Sequence, residues 1–302
     1  MRTLPPVGLL LDVDGPLASP ETRTVPDGIL RALVDLTDRG IPVVFNTGRS
    51  AQFVLHQLLA PLREAGLSPT ARVHAVCEKG AVWFSAAHLP DGPLPEVTPA
   101  GPVPEWIRPD DGMRVRADLA ERLAQQIRET HGESMFFDDT KLAMVSAEMT
   151  VGLVLEDYRP AQAEFEEFAQ AALAQAGLST AFQVDSTIIS SDIEHVRSGK
   201  DLGAERTWEL LSADGEMPVR WITCGDSRTD YAMAEWLHAR GASVTHVDVR
   251  PGDGVPETAY PVLTPADLAT EGFGREDAIH EEAGQALLEQ TLSRITGSMT
   301  RR

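Results

Sequence analysis

The feature that most restricts this chain is a series of short, largely apolar runs, several of which stop at a polar or glycine-containing corner. Val7–Leu11 ends at Asp12-Val13-Asp14-Gly15, and Pro42–Asn46 ends at Thr47-Gly48-Arg49. Val73–Cys77 is a third run, Arg220–Cys224 gives way to Gly225-Asp226, and Ser243–Val249 follows. Unbroken runs this short are typical of strands buried on both faces, as in a parallel sheet. Helical patterns separate them. Asp27–Arg39 places Leu30, Leu33 and Val34 on one face before Gly40, and from Ser50, a helix-capping residue type, Leu55, Leu58, Leu59 and Leu62 recur at helical spacing. Alternating strand and helix predict an α/β fold, a parallel sheet core with helices on its faces.

The rhythm breaks in the middle of the chain. Residues 88–112 are rich in Pro and Gly and read as a loop. A helix near Asp118–Glu129, extended stretches at Ser134–Phe137 and Leu142–Ser146, a helix near Ala161–Gln175, and further extended stretches at Phe182–Val184 and Thr187–Ser190 follow. Helix then paired strands, twice, predicts an α+β module with an antiparallel sheet. The parallel rhythm then resumes with a helix over Lys200–Leu211, so the module is an insertion. The expected division is a core of 1–82 and 196–275, an inserted domain of 83–195, and an amphipathic tail helix within 276–302 marked by Ile279, Ala283, Ala286 and Leu287. That helix can pack on the core or join two chains, and the sequence does not choose.

Ligands of open parallel sheets bind beyond the carboxyl ends of the strands, where the corners lie. Asp12 and Asp14 alternate with Val13, so both carboxylates fall on one side of an extended segment. Two such close acids are costly unless a cation intervenes or one is protonated. Gly15 permits a sharp turn whose amides can face an anion. Thr47 offers a hydroxyl at a strand end before a helix start. Lys200 opens a core helix within Ser198-Gly199-Lys200-Asp201, and Asp226 and Asp230 straddle a strand-to-helix turn. Oxygen-rich ligation of that kind suits Mg²⁺. Taken singly, each station has an ordinary structural explanation: solvated loop acids, a cap by Ser50 or Asp230, a surface lysine.

Charge sharpens the reading. With 26 basic and 46 acidic residues the chain carries −20, which opposes nucleic acid and anionic membranes as partners. The same field repels a phosphorylated metabolite unless a local cation screens it. Only Lys79, Lys141 and Lys200 are lysines, so each marks a place where a compact ammonium is wanted. Cys77 and Cys224 form no metal-type pair and read as small buried hydrophobes. No apolar run reaches the ~18 residues of a membrane span, and the start lacks a signal peptide's order, so a cytoplasmic protein is expected.

In this order the four stations resemble the signature of the haloacid dehalogenase superfamily: Asp12-Val13-Asp14-Gly15, then Thr47, then Lys200, then Gly225-Asp226 with Asp230. The match spans residues 7–235. The inserted module resembles the large α/β cap of the Cof-like branch (subfamily IIB), which also includes sucrose-phosphate and mannosyl-phosphoglycerate phosphatases. Glu78-Lys79-Gly80-Ala81 stands where many members have Asn-Gly-Ala, Pro16 replaces a threonine, and Thr229 replaces an asparagine; none of these changes removes a carboxylate.

The resemblance implies a Rossmann-like core with an inserted cap and a Mg²⁺-dependent phosphatase acting on a small phosphorylated metabolite, a sugar or polyol phosphate. Asp12 is then the nucleophile that becomes an aspartyl-phosphate, and Asp14 the acid and base. Asp12, Asp226 and the Asp14 carbonyl hold the metal with Asp230 in support, and Asp14, Gly15, Thr47, Gly48 and Lys200 hold the phosphoryl group. Arg49, Lys141 and His195 are candidate substrate contacts, with Arg114, Arg116, Asp185, Ser186 and Ser191 behind them. A phosphomutase of the same fold and a non-catalytic metabolite sensor are the alternatives. Retention of every acid and of Lys200 opposes the sensor, and the lack of Gly-x-Gly-x-x-Gly after the first strand opposes a dinucleotide oxidoreductase. Oligomeric state is not legible.

Overall fold

The computed structural model describes residues 5–299; the first four residues of the expected core and the last three of the expected tail lie outside them. The apolar runs become strands β1 (Gly8–Leu11), β2 (Val43–Asn46) and β3 (Val73–Cys77), every residue of which is buried. Between them lie α1 (Asp27–Asp38) and a composite helix, α2, running from Ala51–Val54 through a π-turn at Leu55–Leu59 into Ala60–Glu64. Helix α2 is capped by Ser50, whose Oγ accepts from the Phe53 amide at 3.2 Å. Strand β4 (Val82–Ser85) then continues the same sheet antiparallel to β3, and β5 (Arg108–Pro109) adds to it antiparallel to β4. The core sheet therefore runs past residue 83, where the insertion was expected to begin. Part of the Pro- and Gly-rich stretch belongs to the core as well, with Val97 and Ile107 in its apolar cluster.

The second sheet comprises β6 (Met135–Phe137), β7 (Val145–Met149), β8 (Phe182–Ser186) and β9 (Ser190–His195), in order β6-β7-β9-β8 and antiparallel throughout. Helices α3 (Ala117–Gln126) and α4 (Leu155–Gln175) cover one face, burying Leu123, Phe165 and Ala169 against Val145, Ala147 and Ile193. Two expected strands shift here. Thr187–Ser190 is the β8–β9 turn, in which Thr187 N–H donates to the Ser190 carbonyl at 2.8 Å. The β-branched pair Ile188 and Ile189 that suggested a strand is exposed at its tip. Leu142–Met144 precede β7 rather than belonging to it, because their amides donate to the Glu78 carboxylate instead of to a neighbouring strand.

The parallel rhythm resumes with α5 (Lys200–Asp214), β10 (Arg220–Gly225), α6 (Tyr231–Ala239), β11 (Ser243–Asp248), β12 (Val262–Leu263) and α7 (Pro265–Thr270). The core order is β12-β11-β10-β1-β2-β3-β4-β5, with β1 central between β10 and β2. Apolar side chains fill both faces of this sheet, as an α/β core requires. The tail becomes α8 (His280–Met299), which packs on the core through Ala283, Ala286, Leu287 and Leu288 beside α1. No helix among the described residues is long and apolar enough to cross a membrane.

Candidate active site

Parallel register brings the corners together. Asp12 leaves β1 with its amide bonded to the Cys224 carbonyl of β10 at 2.9 Å, so the ends of β1 and β10 are adjacent by construction. Thr47 is fixed the same way, its amide donating to Val76 of β3 at 2.9 Å. Into this cleft α5 delivers Lys200. Its ammonium has three donors and all three are used: Asp12 Oδ1 at 2.7 Å, Asp230 Oδ1 at 2.7 Å and the Asn46 carbonyl at 2.8 Å. Asn46 returns the contact by donating to the Lys200 carbonyl at 3.0 Å. The helix comes this close because Gly203 faces Asn46, where a Cβ would stand 1.9 Å from the amide oxygen.

Asp12, Asp226 and Asp230 converge, with one oxygen from each within 4.8 Å of the others. The electrostatics record the crowding. Burial, opposed by Lys200 but reinforced by Asp230 and Asp14, pushes the Asp12 carboxyl well above the ordinary range. Burial and the Asp230 charge raise Asp226 likewise. Burial also depresses Lys200, but Asp12 and Asp230 outweigh it and the ammonium is held above its usual value. Asp230 is the exception: despite burial, Lys200 and Ser227 hold it below the usual range. A site of oxygen donors short of positive charge fits a hard divalent ion.

The roles within the cluster differ. Asp230 Oδ2 accepts from the amides of Asp226 and Ser227 at 3.2 and 3.0 Å and from Ser227 Oγ at 2.7 Å. With Oδ1 on Lys200, both its oxygens are engaged, and it organises the turn that carries Asp226. Gly15, at φ 85°, lies against Asp226, where a Cβ would meet the carboxylate oxygen at 2.6 Å. Asp14 is gripped by Arg49, whose Nε and Nη2 donate to its carboxylate at 2.9–3.1 Å. Arg49 also lies 3.6 Å from Glu148 of β7 and stacks on Phe53.

The remaining candidates divide. Arg49 is at the cleft, though held by Asp14. Lys141 is buried and donates to the Gly48 carbonyl at 2.6 Å, fixing the corner after β2. His195 is not brought into the cluster: its ring packs edge-on to Phe182 and its Nδ1 accepts from the Arg197 amide. Arg114 and Arg116 pair with Asp111 and Asp118. Ser191 faces α4, donating to Glu166 at 2.6 Å, whereas Asp185 joins a separate group around Lys79.

The sequence reading gives no role to five residues near the site. Glu78 and Lys79 both adopt left-handed backbone, φ 50° and 53°, at the exit from β3. Glu78, fully buried, accepts three amides of the segment entering β7, and Lys79 ion-pairs with Asp185, Asp192 and Glu194. Glu148 meets Arg49 and Arg23. His280 opens α8 with Nδ1 3.5 Å from Asp226, and Gly284 lets the same helix close on the Pro16 carbonyl. Only Lys79 carried a signal, as one of three lysines.

No protein-family model matches the chain, and no curated protein matches it in sequence. Its fold does have solved counterparts. A haloacid dehalogenase-like hydrolase from Bacteroides thetaiotaomicron superposes with a TM-score of 0.54 at 12% identity, covering 85% of this chain and 93% of that one. A Thermoplasma acidophilum protein gives 0.54 at 14% identity, over 96% and 100% of the two chains. A member of a phosphoryl-transfer superfamily in which a trigonal-bipyramidal intermediate is conserved gives 0.50 at 13% identity, over 94% and 98%. The chain thus has the haloacid dehalogenase-like fold, a Rossmann-like core carrying a cap.

Proposed function

We propose that this protein is a Mg²⁺-dependent phosphomonoesterase that acts on a small phosphorylated metabolite, a sugar or polyol phosphate, through an aspartyl-phosphate on Asp12. The observation that carries the reading is the convergence of Asp12, Asp226 and Asp230 around Lys200 at the ends of adjacent parallel strands. Asp12, Asp226 and the Asp14 carbonyl would hold the metal, with Asp230 keeping the Asp226 turn in place. The bound ion supplies positive charge that draws the phosphate dianion into an acidic site and stabilises charge in transfer.

The residues then divide the work. Lys200 and the Val13 amide both contact Oδ1 of Asp12, fixing the carboxylate so that its other oxygen can attack phosphorus. As the Asp12–phosphorus bond forms, the bond from phosphorus to the leaving oxygen breaks, and Asp14 gives that oxygen a proton. Asp14 next takes a proton from water, whose oxygen attacks phosphorus. The Asp12–phosphorus bond then breaks, and inorganic phosphate leaves. Thr47, Gly48 and the turn at Gly15 position the transferring group, which is preorganisation rather than covalent chemistry. Arg49 engages both oxygens of Asp14 in this structure, so that contact must open for Asp14 to reach the leaving oxygen.

The test is phosphate release from a panel of phosphorylated metabolites, with Mg²⁺ or EDTA, for wild type and Asp12→Asn. Turnover that needs the metal and falls roughly a thousandfold or more in the variant supports the proposal. Turnover only with an activating bisphosphate favours the mutase. Wild-type turnover by Asp12→Asn removes Asp12 as nucleophile.

A further inference from the structure

The tail helix reaches the site without belonging to any of its strand ends. Its first residue, His280, lies in left-handed backbone at φ 52°, a conformation that glycine adopts freely and most side chains do not. Two backbone contacts hold it there. Its amide donates to the Val249 carbonyl at 3.1 Å, and the Val249 amide donates to the Gly225 carbonyl at 3.0 Å. His280 is thereby tied, through the end of β11, to the residue that precedes Asp226. One turn further on, Gly284 closes on the loop after Asp14, where a Cβ would stand 1.7 Å from the Pro16 carbonyl oxygen. The first turn of α8 therefore touches both acid-bearing loops of the site.

The imidazole is placed to act on Asp226. Its Nδ1 is shielded from solvent and has no hydrogen-bond partner among the described residues, and Asp226 Oδ2 lies 3.5 Å away. The same oxygen stands against Gly15, where a Cβ would meet it at 2.6 Å. The backbone of Asp226 is secured on both sides: its amide donates to Asp230 at 3.2 Å and its carbonyl accepts from Arg250 Nε at 3.0 Å. Its carboxylate lacks such an anchor, and among the described residues His280 is the one basic side chain within ion-pair reach of it. Asp12 and Asp230 differ, since each has an oxygen on Lys200. The last torsion of a carboxylate side chain is broad, so an unanchored ligand must be ordered as it binds. His280 is not a ligand itself: the donor atoms that converge at this site within 4.8 Å come from Asp12, Asp226 and Asp230.

Resting on the divalent-metal site of the phosphatase reading, we infer that His280 is a positioning residue: with its proton on Nδ1 it donates to Asp226 Oδ2 and fixes that carboxylate toward the ion, which makes the first turn of α8 part of the metal centre. The pair stands at the edge of hydrogen-bond range, and the bond closes as Asp226 ligates. Outer donors of this kind orient a carboxylate ligand and contribute about 10- to 100-fold in metal affinity. The order that Lys200 gives Asp12 and Asp230 is thus supplied to Asp226 by the far end of the chain. The left-handed backbone at His280 then has a purpose, since it carries an imidazole where a glycine would fit without strain.

The experiment is titration of the metal-stripped, full-length protein with Mn²⁺, followed by electron paramagnetic resonance with Mg²⁺ as competitor, for wild type, His280→Gly and His280→Asn. Glycine keeps the left-handed backbone and removes the imidazole. Asparagine tolerates the same backbone and restores a neutral N–H donor near the place of Nδ1. His280→Gly is expected to weaken metal binding by about tenfold or more, and His280→Asn to recover most of that loss, with both unfolding midpoints in EDTA close to wild type. Unchanged affinity in His280→Gly, equal losses in the two variants, or midpoints that fall in step with affinity overturn the inference while leaving the phosphatase reading intact. The expected order of affinities without phosphate release from any ester overturns the catalytic reading and leaves the role of His280 standing. A wild type that takes up neither ion overturns both.

Discussion

Lys200 and Lys79 are both part-buried ammonium groups ringed by acids, yet they belong to different kinds of structure. Lys200 joins residues that parallel register already places together: Asp12 from β1, Asn46 from β2 and Asp230 beyond β10. Lys79 joins the core to a separate sheet, through Asp185, Asp192 and Glu194 on β8 and β9. The first group is a site held rigid from within; the second ties two sheets together at a corner of left-handed backbone. Preorganisation and attachment thus use the same side-chain chemistry, and only the elements that supply the partners tell them apart.

Substitution can break that comparison. Lys200→Met strands Asp12 and Asp230 in the core without their cation, and denaturant unfolding is expected to show a loss of roughly 3–5 kcal/mol. An unaffected midpoint would mean that the cluster relaxes freely and is not rigid. Lys79→Met should cost less, roughly 1–3 kcal/mol, because Asp185 remains half exposed and Glu194 can take up a proton. If the two variants lose equal stability, the distinction drawn between site and tie fails.

The smallest expected effect sharpens the second group. Glu194 has a folded value of about 7 against an ordinary 4.5. The folded state therefore binds the extra proton between these values. The associated stability is fully present below pH 4.5 and is lost as pH rises through about 7. Glu194→Gln cannot lose it, so its melting temperature should gain on wild type as pH rises across that window. A constant gap would show that Glu194 does not titrate there.

The same contrast explains what the sequence could disclose. Asp12, Thr47, Lys200 and Asp226 were legible because each lies at an end of a core strand or helix, and parallel order brings those ends together. Lys79 stood out by rarity alone. Its partners lie more than 100 positions away on antiparallel strands, whose register a one-residue change reverses. The two displaced strands fail for related reasons: Ile188 and Ile189 imitate a strand while lining a turn, and Leu142–Met144 give their amides to Glu78. The role of Arg49 as the holder of Asp14, and the approach of His280 to Asp226, arise from tertiary packing that no local pattern encodes.

The proposed mechanism requires that Asp12 becomes covalently phosphorylated. Rapid acid quench of the wild-type protein during turnover of its best substrate, followed by proteolysis and mass spectrometry, tests it directly. The expected result is a phosphoryl adduct on the peptide carrying Asp12, lost under alkaline treatment and absent in Asp12→Asn. Steady turnover in which an adduct forms on another residue, and persists in Asp12→Asn, would contradict it.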